Sequence, residues 1–216
     1  MVDLDAFLER LPGLFESFPD SELPRDPRWA HLLEEVPGLA RANNLALVNL
    51  AASLLPEGES YVEIGSYRGT SLIAASLGND ADIVGIDNFT LGDGSREQLD
   101  ANLRRFDVSP TVIEGDAFTL IPEGVLGERR VGVYYYDAAH SYEAQLESLR
   151  MIEPWLAPRA LLLVDDSDWE KVAAAIADYV ARERRARVLL ELGGKEHGRP
   201  WWWEGVTAIG FVRDSA

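Results

Sequence analysis

The stretch Tyr61–Ser71, YVEIGSYRGTS, begins as an apolar strand and ends as the start of a helix. Between the two lies a turn with glycines at 65 and 69 that also carries Ser66, Tyr67 and Arg68. In parallel α/β sheets such strand–turn–helix units hold nucleotides, with the ligand beyond the carboxyl end of the strand. The G-x-x-x-G spacing is not the G-x-G-x-x-G of dinucleotide sites, and no Walker lysine–serine pair accompanies it. Glu63, two residues before Gly65, would lie near a phosphate and repel it. An acid there better suits a cationic amino-acid end or a sulfonium.

Working outward, ARANNLALVNLAASLL upstream reads as a helix, and strand and helix patterns alternate downstream. ADIVGID precedes SREQLDANLRRF, PTVIEGD precedes the short AFTLIPEGVLG, VGVYYYD precedes SYEAQLESLRMIEPWL, and RALLLVDD precedes WEKVAAAIADYVARERR. Apolar strand runs separated by helices predict a parallel sheet covered on both faces, and right-handed crossovers make it doubly wound. ARVLLELG and GVTAIGFVR then follow with no helix between them, which predicts an antiparallel pair. The expected fold is α/β: a Rossmann-like seven-stranded sheet of five parallel strands plus a C-terminal antiparallel hairpin. Residues 1–38 hold helical pieces broken by prolines, as in FPDSELPRDPRW, and suit a lid or an oligomer arm for a domain spanning 39–216.

Acids recur at the strand ends. The second strand ends in Asp87, followed by Asn88, at the distance where an acid grips ribose hydroxyls; the third ends in Asp116, followed by Ala117. Each alone is explained equally well as a polar strand end. Together with Glu63 they fit a nucleoside without phosphate and with a positive charge, which describes S-adenosylmethionine.

YVEIGSYRGTS, IVGIDNF, EGDAF and YYYDAAHSYE resemble the successive motifs of class I S-adenosylmethionine-dependent methyltransferases, in particular small bacterial enzymes with the motif E-I-G-S-x-x-G-x-S. The resemblance spans roughly residues 40–213. It implies that the loop from Glu63 through Gly65, Ser66 and Gly69 to Thr70 and Ser71 holds the methionine end. It assigns the ribose to Asp87 with Asn88, and the adenine side to Asp116 with Ala117. One departure is Tyr67, where many members carry glycine.

Strand four ends at Asp137 and strand five at Asp165 and Asp166. Neighbouring strands are about 4.8 Å apart, so these carboxylates can converge on a hard divalent cation such as magnesium. A metal there would grip a substrate oxygen and lower its hydroxyl pKa. The competing reading is structural: SDWE, Ser167 to Glu170, forms a capping box, and acids are favoured before a helix. The same pattern resembles metal-dependent O-methyltransferases, including those acting on catechols and sugars, which implies that Asp137, Asp165 and Asp166 bind magnesium. His140 takes the place where catechol-type relatives carry a lysine base. Histidine as a residue type titrates near neutrality and suits proton removal, whereas the plainer reading is a histidine oriented by Asp137 at a helix start. In the Arg199–Gly205 segment, RPWWWEG, three adjacent tryptophans cannot all face a core; one is left to stack on an acceptor, or to fill an oligomer contact such as a homodimer would provide.

The bulk numbers narrow the function classes. A chain of 216 residues with 47% hydrophobic and 26% charged residues suits a soluble domain with a full core. A net charge of -17 opposes nucleic acid as a partner. No N-P-P-Y motif follows strand four, and without cysteine the usual attack on pyrimidine C5 has no nucleophile. The basic run RERRAR falls where a helix should end, which the helix dipole explains. No signal-peptide pattern or membrane-length apolar stretch occurs, so a cytoplasmic location is expected. The sequence therefore favours an O-methyltransferase for a small hydroxylated acceptor. A nicotinamide-dependent oxidoreductase on the same scaffold and a non-catalytic nucleotide-binding protein are the competing readings.

Overall fold

In the computed structural model, which describes residues 1–193 and 201–213, seven strands form one sheet. They are β1 (Ser60–Ile64), β2 (Asp82–Asp87), β3 (Thr111–Glu114), β4 (Val131–Tyr136), β5 (Leu156–Asp165), β6 (Ala186–Leu192) and β7 (Val206–Val212). Their order is β3-β2-β1-β4-β5-β7-β6. The first five are parallel, and β7 runs antiparallel to both β5 and β6. The expected terminal hairpin is present, but its second strand inserts between the first and the rest of the sheet. Burial explains the order: β7 is buried at every position but its last, whereas β6 is largely half-buried or exposed and takes the edge.

The chain reverses its winding direction between β1 and β4, so a crevice opens beyond their carboxyl ends. Both strands are buried throughout, and alternation sends their side chains to two separate cores. Tyr61, Val133, Tyr135, Leu161 and Leu163 face one layer, with α3 (Ala42–Ser53) and α4 (Thr70–Ser76). Val62, Ile64, Tyr134, Tyr136, Leu162 and Val164 face the other, with α7 (Tyr142–Met151) and α8 (Glu170–Arg182). Helix α5 (Arg96–Arg105) adds Leu99 and Leu103 to the first layer, and the one-turn α6 (Ala117–Leu120) adds Ala117 to the second. Among the described residues no helix is long and apolar enough to cross a membrane.

The proline-broken N-terminal segment forms α1 (Leu4–Arg10) and α2 (Arg28–Glu35), and it shares the first core. Leu4, Phe7, Leu11, Trp29 and Leu32 are buried there. Trp202 fastens the segment: its ring meets Phe15 edge-on at 5.3 Å between centroids and Phe18 at 6.2 Å. Its indole Nε1 donates to the Pro19 carbonyl at 3.1 Å. Trp202→Phe removes that bond and part of the ring, and is expected to cost about 1 kcal/mol. It should speed limited proteolysis within residues 10–27 more than elsewhere. Unchanged proteolysis there would mean that the aromatic contact does not hold the segment.

Candidate active site

The crevice holds a cavity of about 650 Å³ that runs from the glycine turn to the ends of β4 and β5. Gly65 makes the turn feasible. Its φ is 91°, and a Cβ there would lie 1.8 Å from the carbonyl oxygen of Asp137, so the chain passes β4 only without a side chain. Tyr67 adopts φ 48°, the conformation that glycine takes freely. Its hydroxyl donates to Asp93 at 2.6 Å, and its ring packs so closely on Gly94 that a Cβ at 94 would fall 2.4 Å from it. The side chain thus supplies contacts that offset the strained backbone.

Asp87 holds this turn together. Its Oδ2 accepts from the backbone N–H groups of Ser66 at 2.7 Å and Tyr67 at 2.6 Å, and its Oδ1 accepts from Phe89 N–H at 2.6 Å. It lines the cavity, as a ribose-gripping acid must, yet both oxygens are already engaged by the loops. Asn88 and Asp116 behave alike. Asn88 Oδ1 accepts from the Thr90 N–H and hydroxyl, and Asp116 caps α6 through Phe118 N–H while accepting from the Thr119 hydroxyl. The acids at these strand ends build the pocket's walls as well as lining it.

Gly65, Ser66, Thr70, Ser71, Asp87, Asn88, Asp116, Ala117, Asp137, His140 and Asp166 all border the cavity. Glu63, Gly69 and Asp165 do not. Gly69 is the left-handed N-cap of α4 and faces Leu99. Glu63 corrects the expectation of an acid beside the ligand. Strand alternation places it on the Tyr61 face, fully buried, where its carboxylate accepts from Tyr61 Oη at 2.9 Å and Ser71 Oγ at 3.0 Å. It props the turn from beneath. Burial raises its pKa to about 7, against the lowering effect of those two hydrogen bonds. The folded pKa exceeds the unfolded one, so the stability associated with protonated Glu63 is full below about 4.5 and is lost as pH rises through about 7. Glu63→Gln should therefore flatten the decline in melting temperature over that range. An unaltered slope would place the titration elsewhere.

One ligand oxygen each from Asp137, Asp165 and Asp166 lies within 4.8 Å of the others. Asp165 and Asp166 are 2% and 5% exposed, and Asp165 Oδ2 is buried without a hydrogen-bond partner. Desolvation first, and then the neighbouring acids, push the carboxyls of Asp137 and Asp165 well above the ordinary range. Three hard oxygen donors in mutual repulsion, one with an unused buried lone pair, fit a divalent cation. The capping box of the competing structural reading does not form: α8 begins at Glu170 with Trp169 as N-cap and no side-chain cap. The chain instead turns through Asp166 at φ 54°.

Protein donors orient the cluster. Tyr135 Oη donates to Asp137 Oδ2 at 3.4 Å, and Asn44 Nδ2 donates to Asp165 Oδ1 at 3.1 Å. His140 Nε2 lies 3.1 Å from Asp166 Oδ2, so its orienting partner is Asp166 rather than Asp137. The Trp169 ring stands 5.0 Å from the His140 ring. Trp203 borders the cavity, Trp202 is buried and Trp201 packs half-buried against the first core, which resolves the tryptophan run into two core residues and one cavity residue; Arg199 and Pro200 lie outside the described residues. Leu39, Ala40, Leu91 and Glu204 also line the cavity, and no strand-end pattern could have indicated them, whereas Phe118 closes the EGDAF motif.

Residues 62–167 match the family described as "Methyltransferase domain". No curated protein matches the chain. Solved structures are similar across most of its length. An O-methyltransferase from Bacillus cereus in complex with SAH is 14% identical with a TM-score of 0.65, over 87% of this chain and 92% of that one. The O-methyltransferase TomG from Streptomyces achromogenes, in complex with SAM, is 18% identical with a TM-score of 0.62, over 88% and 92%. Cofactor-bound Rv0187 from MTB is 20% identical with a TM-score of 0.66, over 99% and 97%, so its likeness extends through the N-terminal segment. With the glycine turn, the switch-point cavity and the strand order in place, residues 62–167 of this chain form a methyltransferase domain.

Proposed function

We propose that the enzyme transfers the methyl group of S-adenosylmethionine to a hydroxyl oxygen of a small acceptor, assisted by magnesium. The observation that carries this reading is the convergence of Asp137, Asp165 and Asp166, with His140 beside them, at the end of the cavity remote from Asp116. Neighbours named as O-methyltransferases support the choice of oxygen. The three acids would hold the cation, which supplies a Lewis acid that lowers the pKa of the acceptor hydroxyl. His140 Nε2 is turned to Asp166 Oδ2, so Nδ1 is the ring nitrogen left to take the acceptor proton. The glycine turn would hold the methionine end of the cofactor, which would present the methyl group in line with the acceptor oxygen.

The lining also limits the acceptor. Among the described residues no lysine or arginine borders the cavity, while Asp87, Asp116, Asp137, Asp166 and Glu204 do. Leu39, Leu91 and Trp169 are large apolar residues exposed at its rim. The acceptor is therefore neutral or cationic, with an apolar body. The test is adenosylhomocysteine release across hydroxylated aromatics and sugars, each with neutral, aminated, carboxylated and phosphorylated forms, with and without magnesium. Neutral and aminated acceptors should turn over at least about tenfold faster than their anionic counterparts. Preference for the anions would refute the charge argument, and equal rates after chelation would remove the metal from the mechanism.

A further inference from the structure

Helix α3 is buried at ten of its twelve positions, and two of the ten are the adjacent asparagines 43 and 44. A buried amide destabilises the fold unless it is hydrogen-bonded. Asn43 is 0% exposed and donates to the Ser21 carbonyl at 2.9 Å, pinning the N-terminal segment. Asn44 is 2% exposed and takes a partner 121 residues away, donating to Asp165 Oδ1 at 3.1 Å.

The geometry points to Asn44 as a positioning residue of the acidic cluster: its amide fixes one oxygen of Asp165 so that the other is left for a divalent cation. The inference rests on the metal reading given under Proposed function, and it extends the site to a helix outside the segment, residues 62–167, that matches the family. Three features support it. Asn44 presents its amide nitrogen to Asp165 Oδ1, and the ionised carboxylate, the form that holds a cation, accepts only, so the contact suits the cation-binding form. The donor is neutral, so it orients Asp165 without cancelling the negative charge that a cation requires; a lysine there would do both. Asp165 Oδ2 and Asn44 Oδ1 are both buried without a hydrogen-bond partner, so the pair carries unused oxygen capacity where the three acids meet. Outer partners of this kind fix the aim of the ligands they touch.

The test is manganese binding by the full chain, measured by electron paramagnetic resonance of the free ion with adenosylhomocysteine present. Asn44→Leu keeps the volume and removes the donor. It should weaken manganese binding about 10- to 100-fold while leaving adenosylhomocysteine affinity within about threefold. Asn43→Leu is the control: it should lower the melting temperature and leave manganese affinity unchanged, because its amide serves only the N-terminal segment. If Asn44→Leu does not fold, Asn44→Ala is read by the same titration. Manganese binding in the Asn44 variant as tight as in the wild type overturns the inference and leaves the metal reading standing. A wild-type protein that binds no manganese overturns both.

Discussion

Asp137→Asn or Asp165→Asn should lower methyl transfer by about a hundredfold or more, equivalent to about 2.7 kcal/mol of transition-state stabilisation. Adenosylhomocysteine affinity should stay within about threefold, because neither acid takes part in the hydrogen bonds that hold the glycine turn. Chelation should reproduce the loss in the wild type. The same variants should shift stability the other way. Without a cation, three carboxylates with oxygens within 4.8 Å repel one another in a largely buried setting, so removing one charge should raise the melting temperature of the metal-free protein. Opposite signs for activity and stability mark acids kept for chemistry at the expense of the fold. Full activity of Asp165→Asn with saturating magnesium would show that the acids are structural.

The second large effect is expected from Asp87→Ala. Its carboxylate accepts three short backbone hydrogen bonds, two from the glycine turn and one from the loop after β2. Hydrogen bonds to a charged group are worth about 1.5–3 kcal/mol each, and losing the acceptor leaves part-buried N–H groups without a partner. Solvent reaches this site from the cavity and compensates in part. A loss of about 3 kcal/mol in ligand-free stability is therefore expected, together with about a hundredfold loss in adenosylhomocysteine affinity as Tyr67 leaves its left-handed backbone conformation. Urea denaturation without ligand and calorimetry with it measure the two terms separately. Unchanged ligand-free stability with weakened binding would return Asp87 to the simpler role of a ribose grip.

By itself the sequence determined the strand–helix alternation, the parallel sheet, the glycine turn and the acids at the strand ends. These are local properties: apolar runs and their period set the backbone hydrogen-bonding pattern, and Gly65 is required where the backbone passes too close to Asp137 for a Cβ. The tertiary structure alone decided what each polar side chain does. Glu63 sits two residues before the turn in the chain, yet the pleat of a strand covered on both faces turns it away from the cavity and under α4. Ser167 to Glu170 has the spacing of a capping box, yet the turn through Asp166 starts α8 later and leaves that cap unmade. Trp202 and Trp203 are neighbours in the chain, yet one packs on Phe15 and the other borders the cavity. Asn44 is one more residue of an apolar helix until the fold sets it against Asp165. Periodicity fixes how a segment hydrogen-bonds to itself and to its neighbours. Which distant side chain completes a carboxylate is settled only when separate elements pack, because that contact is specified by their relative placement and not by either segment.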